Sequence, residues 1–157
     1  MALLKARYRF QNVLAITAEF LKSTGARAVL IDADNTLSFH GSREPYPGIE
    51  KWLREIVGSG IPVIIISNNE RERIEPFARR LGLPFVEESK KPLPVGFRKA
   101  CRKLGVSPSE TAVIGDQIFT DVLGGNLIGA KVILTEPLGP DTDKFIKAKR
   151  HLEKWIR

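Results

Sequence analysis

Short apolar runs alternate along the chain with longer segments in which apolar residues recur every three or four positions. Runs such as 28–31 and 61–66 are rich in β-branched residues, which is typical of strands buried on both faces. The longer segments have the helical period, and Gly58, Gly82 and Gly105 stand where helices would end. The pattern predicts strands at 28–31, 61–67, 83–87, 110–116 and 130–136. It predicts helices at 17–25, 48–57, 70–82, 92–105, 119–129 and 141–157, with Thr17 as the cap of the first.

This alternation of strand and helix is typical of an α/β fold. It predicts a doubly wound, Rossmann-like domain with a five-stranded parallel sheet covered by helices on both faces. Residues 1–16 have a loose helical spacing of apolar residues. We expect the 157 residues to form a single domain. Its core would span about 28–135, between a basic N-terminal segment at 1–24 and a C-terminal helix at 141–157.

Composition changes this expectation little. The apolar fraction is 43% and the charged fraction 27%, both ordinary for a globular protein. The single cysteine, Cys101, excludes an internal disulfide. The longest apolar run is far too short to span a membrane, and the N-terminus lacks the apolar middle of a signal peptide. We therefore expect a cytoplasmic protein.

The net charge of +7 lies entirely in the two ends of the chain. Residues 31–140 hold fourteen basic and fourteen acidic residues, whereas 1–30 hold five against one and 141–157 six against three. Basic surfaces attract phosphate-bearing partners, so anionic lipid and nucleic acid are both open, as is a solvated basic face without a partner. Because apolar residues accompany the charges in both ends, an interfacial contact with the inner face of a membrane is one hypothesis.

Polar residues stand at the ends of four predicted strands. They are Asp32 and Asp34 after the first, Ser67, Asn68 and Asn69 after the second, Lys91 after the third, and Asp116 and Asp121 after the fourth. Ligands of doubly wound sheets bind at the carboxyl ends of the strands, where these residues would meet. Carboxylates so close together repel one another unless a cation lies between them. Oxygen ligands without cysteine or histidine favour Mg²⁺ over zinc.

The same residues support phosphoryl transfer. A carboxylate can attack phosphorus while a metal ion and a lysine stabilise the charge of the transferring group. Ser67 and Lys91 can bind phosphate oxygens, and the 67–69 stretch can serve as both helix cap and anion site.

In sequence order, these motifs resemble those of the haloacid dehalogenase superfamily. The segments DADNT, Ser67 after an apolar strand, Lys91–Pro92 and GDQIFTD match its four motifs in register. The flanking residues resemble its subfamily III A, in the branch of the phosphatidylglycerophosphate phosphatases. The resemblance implies that Asp32 is the nucleophile and Asp34 the general acid and base. It also implies that Asp116, Asp32 and the main-chain carbonyl of Asp34 bind Mg²⁺, with support from Asp121.

The spacing leaves no room for an inserted cap domain. About a dozen residues separate Asp34 from the next predicted helix, and about twenty separate Asn69 from Lys91. An open site would suit a large substrate such as a phospholipid headgroup, with phosphatidylglycerophosphate first. Two alternatives are open: a soluble ester or polymer-end phosphate with the site covered by oligomerisation, and a non-catalytic phosphate-binding module.

Overall fold

The computed structural model describes residues 2–140 and 144–157, with the backbone alone at Phe145. Its centre is a six-stranded parallel sheet in the order β1-β6-β5-β2-β3-β4. The strands are β1 (Tyr8–Phe10), β2 (Ala28–Ile31), β3 (Val63–Ile66), β4 (Phe85–Val86), β5 (Thr111–Gly115) and β6 (Lys131–Thr135). The helices are α1 (Ala18–Ser23), α2 (Ile49–Gly58), α3 (Arg71–Leu81), α4 (Pro94–Leu104), α5 (Leu123–Leu127) and α6 (Lys144–Glu153). The predicted α/β class with a parallel sheet is confirmed.

The sheet separates two apolar cores because its central strands are buried on both faces. On one face, alternate residues of β2 and β3, among them Val29 and Ile65, pack with α2 and α3. On the other face, Leu30 and Ile64 pack with Phe97 of α4. Continuous apolar strands are therefore required here, since each successive side chain enters a different core.

The predicted strand count of five is wrong because the N-terminal segment contributes a sixth strand. β1 pairs with β6, with Tyr8 opposite Ile133 and Phe10 opposite Thr135. The alternation is of period two rather than helical: Tyr8 and Phe10 pack against the core, whereas Arg9 between them is exposed. Asn126 Nδ2 anchors the preceding turn by donating to the carbonyl oxygens of Leu3 and Lys5, at 2.8 and 3.0 Å.

Most predicted helix ends agree with the structure. Thr17 Oγ1 accepts a hydrogen bond from the Phe20 N–H at 3.0 Å and caps α1, and Gly82 and Gly105 end α3 and α4 in the left-handed conformation. The helix predicted at 119–129 is instead a π-helical turn, Ile118–Val122, that continues into α5. Residues 141–143 of the predicted last helix lie outside the described residues. Among the described helices, none is long and apolar enough to cross a bilayer.

Candidate active site

The carboxyl ends of β2, β3 and β5 meet at one edge of the sheet. β2 lies between the other two, so the chain turns to opposite sides after it, which is the topological switch point where doubly wound sheets bind ligands. A cavity of about 360 Å³ opens there. It is lined by Asp32, Asp34, His40, Ser67, Asn68, Asn69, Arg73, Lys91, Gln117, Thr120, Ile146 and Lys149.

Three carboxylates form a buried cluster beside this cavity. One ligand atom from each of Asp32, Asp116 and Asp121 lies within 4.8 Å of the other two. Lys91 Nζ joins two of them, at 2.9 Å from Asp32 Oδ1 and 2.7 Å from Asp121 Oδ1. All four side chains are buried or nearly so; Asp32, the most exposed, retains 11% of its side-chain surface. The predicted nucleophile, lysine and two metal-binding carboxylates are thus brought together.

Burial and neighbouring carboxylates raise the pKa values of two acidic groups in this cluster. Desolvation raises the pKa of Asp32 well above its usual range, with the neighbouring Asp121 and Asp116 adding to the effect and Lys91 opposing it. Desolvation also raises the pKa of Asp116 to about 6, against the opposing charge of Arg150. Burial by itself would lower the pKa of Lys91, but the carboxylates of Asp121 and Asp32 outweigh it and raise that pKa.

The cluster fits a divalent cation. It offers oxygen ligands from three carboxylates, no sulfur or nitrogen ligand, and a surplus of negative charge in a desolvated place. Asp32, Asp116 and Asp121 would hold such an ion. The carboxylate of Asp34 is not part of the cluster.

A glycine makes the approach of Asp121 possible. A Cβ atom at Gly115 would lie 2.2 Å from Cγ of Asp121, which is far inside van der Waals contact. The Asp121 carboxylate also accepts from the Gln117 N–H at 3.2 Å, so the turn after β5 holds the side chain over Gly115. Gly115, directly before the predicted metal ligand Asp116, is therefore required for this packing.

The Asp34 carboxylate is held apart from the cluster by three donors. Asn69 Nδ2 donates to Oδ2 at 2.8 Å, while Arg73 Nη2 and the Gly41 N–H each donate to Oδ1 at 3.2 Å. Asp34 and Asp32 thus share a cavity but have different partners. The sequence did not predict that Asn69 and Arg73 bind Asp34. Arg73 lies in the first turn of α3, and its position on the helix was the only available signal.

In the second motif, Ser67 lines the cavity, whereas the Asn68 side chain binds the loop that carries Lys91. Ser67 lies at the carboxyl end of β3 and lines the cavity, and its hydroxyl accepts from the Asn69 N–H at 3.0 Å. Asn68 Oδ1 accepts from the Lys91 N–H at 2.7 Å and from Ser89 Oγ at 3.0 Å, and its Nδ2 donates to the Lys91 carbonyl at 3.2 Å. The Asn68 side chain therefore fixes the loop that carries Lys91. The expected cap role of the 67–69 stretch is wrong, since the cap residue of α3 is Glu70.

Two further groups contact Asp116. Thr36 Oγ1 donates to its Oδ1 at 3.3 Å. Arg150 of α6 pairs through Nη2 with its Oδ2. The C-terminal helix thus reaches the acidic cluster, which the sequence motifs did not indicate.

Fold and site together define a class of protein. A strand-end carboxylate beside a buried acidic cluster and a buried lysine, on a doubly wound sheet, is the arrangement of a phosphoryl-transfer enzyme. Residues 3–129 match the family of haloacid dehalogenase-like hydrolases, and the chain belongs to that family. Family, fold and site together identify it as a phosphoric monoester hydrolase.

Sequence relatives give the same class. The chain is 35% identical over 146 residues to "Probable phosphatase YqeG" of Bacillus subtilis, covering 93% of this chain and 85% of that protein. It is 28% identical over 155 residues to the chloroplastic and mitochondrial phosphatidylglycerophosphate phosphatase 1 of Arabidopsis thaliana, covering 88% of this chain but 44% of that protein.

The fold has a solved counterpart. A hydrolase of this family from Deinococcus radiodurans, solved with bound phosphate and sodium, superimposes with a TM-score of 0.59 at 21% identity. The match covers 82% of this chain and 89% of the other. At that identity the likeness concerns the fold.

Proposed function

We propose that the protein is a Mg²⁺-dependent phosphatase that forms an aspartyl-phosphate on Asp32 and acts on a phospholipid headgroup such as phosphatidylglycerophosphate. One observation carries the chemistry. Asp32 lies at the cavity with Lys91 Nζ 2.9 Å from its Oδ1, in a cluster with Asp116 and Asp121. This is the arrangement that a carboxylate nucleophile needs, since lysine and carboxylates together place charge around a transferring phosphoryl group.

The first half-reaction makes a bond between an Asp32 carboxylate oxygen and phosphorus while the bond from phosphorus to the leaving oxygen breaks. The Asp34 carboxyl gives its proton to that oxygen, and the alcohol departs. Ser67, Lys91 and the backbone at Asn68 bind the oxygens of the phosphoryl group. Asp32, Asp116 and Asp121, with the Asp34 carbonyl, would hold a magnesium ion, whose positive charge would offset the negative charge of the phosphoryl oxygens.

The second half-reaction returns the enzyme to its starting state. Asp34 takes a proton from a water molecule, whose oxygen attacks phosphorus as the bond to Asp32 breaks, and inorganic phosphate leaves. The separate partners of the two aspartates support this division, because Asp34 bonds to Asn69 and Arg73 and not to Lys91. One carboxylate can then accept phosphorus while the other exchanges a proton.

The substrate proposal rests on the openness of the site and on one relative. Between β2 and α2 there is only the loop 32–48, and between β3 and α3 only 67–70, so no inserted domain covers the cavity from these loops. A large headgroup could enter. The Arabidopsis relative carries phosphatidylglycerophosphate phosphatase in its name, although this chain spans less than half of it.

The alternatives are still distinguishable. A soluble ester with an oligomer covering the site would need the same residues. A non-catalytic module is disfavoured because family membership accompanies a full set of predicted catalytic side chains. We further propose peripheral contact with anionic lipid through the exposed face of α6 and the residues just after it, where Leu152 and Trp155 accompany basic residues.

The experiment is a hydrolysis panel with purified protein. We expect release of phosphate from p-nitrophenyl phosphate with Mg²⁺, loss of release with a chelator, and recovery when Mg²⁺ is restored. Among natural esters we expect the highest kcat/KM for phosphatidylglycerophosphate in mixed micelles, compared with sugar phosphates and nucleic-acid 3′-phosphates. A preference for a sugar phosphate or a 3′-phosphate would favour a soluble or polymer-end substrate, and turnover unaffected by the chelator would contradict the role of the metal.

A further inference from the structure

The inner face of α6 is fixed to the sheet edge that carries the active site. Glu153 is buried and accepts from the backbone N–H groups of Ile118 and Phe119, at 2.7 and 3.4 Å. Arg150 Nη1 and Arg157 Nη2 both donate to the main-chain carbonyl of Asp116, at 2.5 and 2.6 Å. Four charge-assisted hydrogen bonds thus hold α6 and the residues just after it at the turn after β5. A hydrogen bond that involves a charged group is stronger than one between neutral groups.

This docking places two α6 side chains in the wall of the catalytic cavity. Ile146 and Lys149 line it together with Asp32, Asp34 and Lys91. They lie three residues apart, on the same side of the helix. The helix therefore supplies part of the surface that faces the substrate, in a protein whose loops after β2 and β3 carry no inserted domain.

The cations of the cavity have separate origins. Lys91 pairs with Asp32 and Asp121, and Arg73 pairs with Asp34, so these two cations are bound to the groups that carry out the chemistry. Lys149 also lines the cavity and comes from α6. A lysine that lines the cavity from an element carrying none of the three clustered carboxylates can bind an anion on the substrate other than the transferring phosphoryl group.

We propose that Lys149 determines specificity by binding a second anionic group on the alcohol portion of the substrate. The inference rests on the proposed phosphatase function and adds a substrate class to it: phosphomonoesters whose leaving group carries another negative charge. A phosphodiester, a second phosphate and a carboxylate share this chemistry. Ile146 beside Lys149 would contact the carbon chain that joins the two charges.

The test compares two small soluble esters, so that neither membrane contact nor acyl chains contribute. Propane-1,3-diol bisphosphate carries the second charge and propyl phosphate does not. With Mg²⁺, we expect kcat/KM for the bisphosphate, halved for its two equivalent ends, to exceed that for propyl phosphate by about tenfold, the worth of one charge-assisted contact. In Lys149→Ala the ratio should fall to about one, and in Lys149→Glu below one.

The matched control is Lys147→Ala. Lys147 is an exposed lysine two residues away on the same helix and does not line the cavity. It should keep the tenfold ratio, which separates a local contact from the general field of a basic helix. An unchanged ratio in Lys149→Ala, or an equal loss in Lys147→Ala, would overturn the proposal.

Binding to an inactive background keeps this test independent of turnover. Calorimetry on Asp32→Asn should show tighter binding of the bisphosphate than of propyl phosphate, and the double variant with Lys149→Ala should remove the difference. If wild-type protein hydrolyses neither ester, the proposed phosphatase function fails, while the calorimetric difference still decides on Lys149. If it hydrolyses both esters with no preference, the function stands and the role of Lys149 is rejected.

Discussion

The two walls of the catalytic cavity are built in different ways. The wall at the sheet edge carries Asp32, Ser67 and Lys91. Asp32 and Ser67 directly follow strands that are buried on both faces, and Lys91 lies in the loop after β4. The other wall is one basic helix, α6, attached by side-chain contacts around Asp116 and Glu153. The rigid wall holds the groups that any phosphatase of this class needs. The α6 side chains that line the cavity without contacting Asp116, such as Ile146, can vary without disturbing the acidic cluster, which makes these positions suitable for substrate selection.

The same contrast exists between two carboxylates of one segment. Asp32 and Asp34 are two residues apart, yet Asp32 faces Lys91 and the acidic cluster, whereas Asp34 faces Asn69 and Arg73. In the proposed mechanism, these different partners correspond to different roles for the two carboxylates. Substitutions that convert each carboxylate to an amide test whether the division is real, and the effects should be unequal.

The largest effect is expected for Asp32→Asn. An amide is a poor nucleophile, and the change removes one of three carboxylates from the cluster, so turnover should fall by roughly 10⁴–10⁶-fold, as for other nucleophile deletions. Steady-state hydrolysis of p-nitrophenyl phosphate measures it. Circular dichroism and thermal melting provide the control, because the variant must be folded for the loss to be chemical. Hydrolysis at the wild-type rate would show that Asp32 is not the nucleophile.

Asp34→Asn should cost less, about 10²–10⁴-fold in kcat, the usual worth of a general acid and base. Its affinity for Mg²⁺ should stay close to that of wild type, because the Asp34 carboxylate lies outside the acidic cluster. Asp32→Asn is the matched comparison, since it should weaken Mg²⁺ binding as well. Calorimetry that finds no Mg²⁺ binding by Asp34→Asn would remove the distinction between the two carboxylates.

The sequence predicts the sheet-edge wall well because its residues are tied to short local patterns. Short apolar runs rich in β-branched residues indicate buried strands, and in a parallel sheet the polar groups directly after them meet at one edge. The missed strand β1 also had a local signal: in the segment 4–10, apolar residues alternate with Lys5, Arg7 and Arg9. This alternation has period two, and reading it as helical was the error.

The contacts of α6 could not be predicted in this way. Arg150 and Asp116 are far apart in the chain, and a basic amphipathic helix has no pattern that selects one lysine for the cavity and another for solvent. The Asn69 and Arg73 contacts to Asp34 are similar, since they depend on how α3 is oriented against the loop after β2. Strand ends follow from local sequence, whereas helix docking depends on tertiary packing.

The smallest effect is expected at the outer face of α6 and the residues just after it. This prediction compares that outer face with the face of the same helix that lines the cavity. Trp155 is 85% exposed and Leu152 59% exposed, and the exposed Lys144, Lys147 and Lys154 lie in the same stretch. Large apolar groups beside basic ones suit an anionic membrane surface, where each charge contributes about 1 kcal/mol. We expect sedimentation with anionic vesicles at low salt, less with neutral vesicles, and less as salt rises.

Reversing the charge of those three lysines should weaken vesicle binding while turnover of a soluble ester is kept. Lys149 is excluded from the set because it lines the cavity. The matched control reverses Arg98, Lys99 and Arg102 of α4, three exposed basic residues with the same total change in charge. If only the α6 reversal reduces binding, contact with lipid is local to the helix that also borders the active site. Equal losses would indicate a general charge effect, and no vesicle binding by wild type at low salt would reject the membrane contact and favour a soluble substrate.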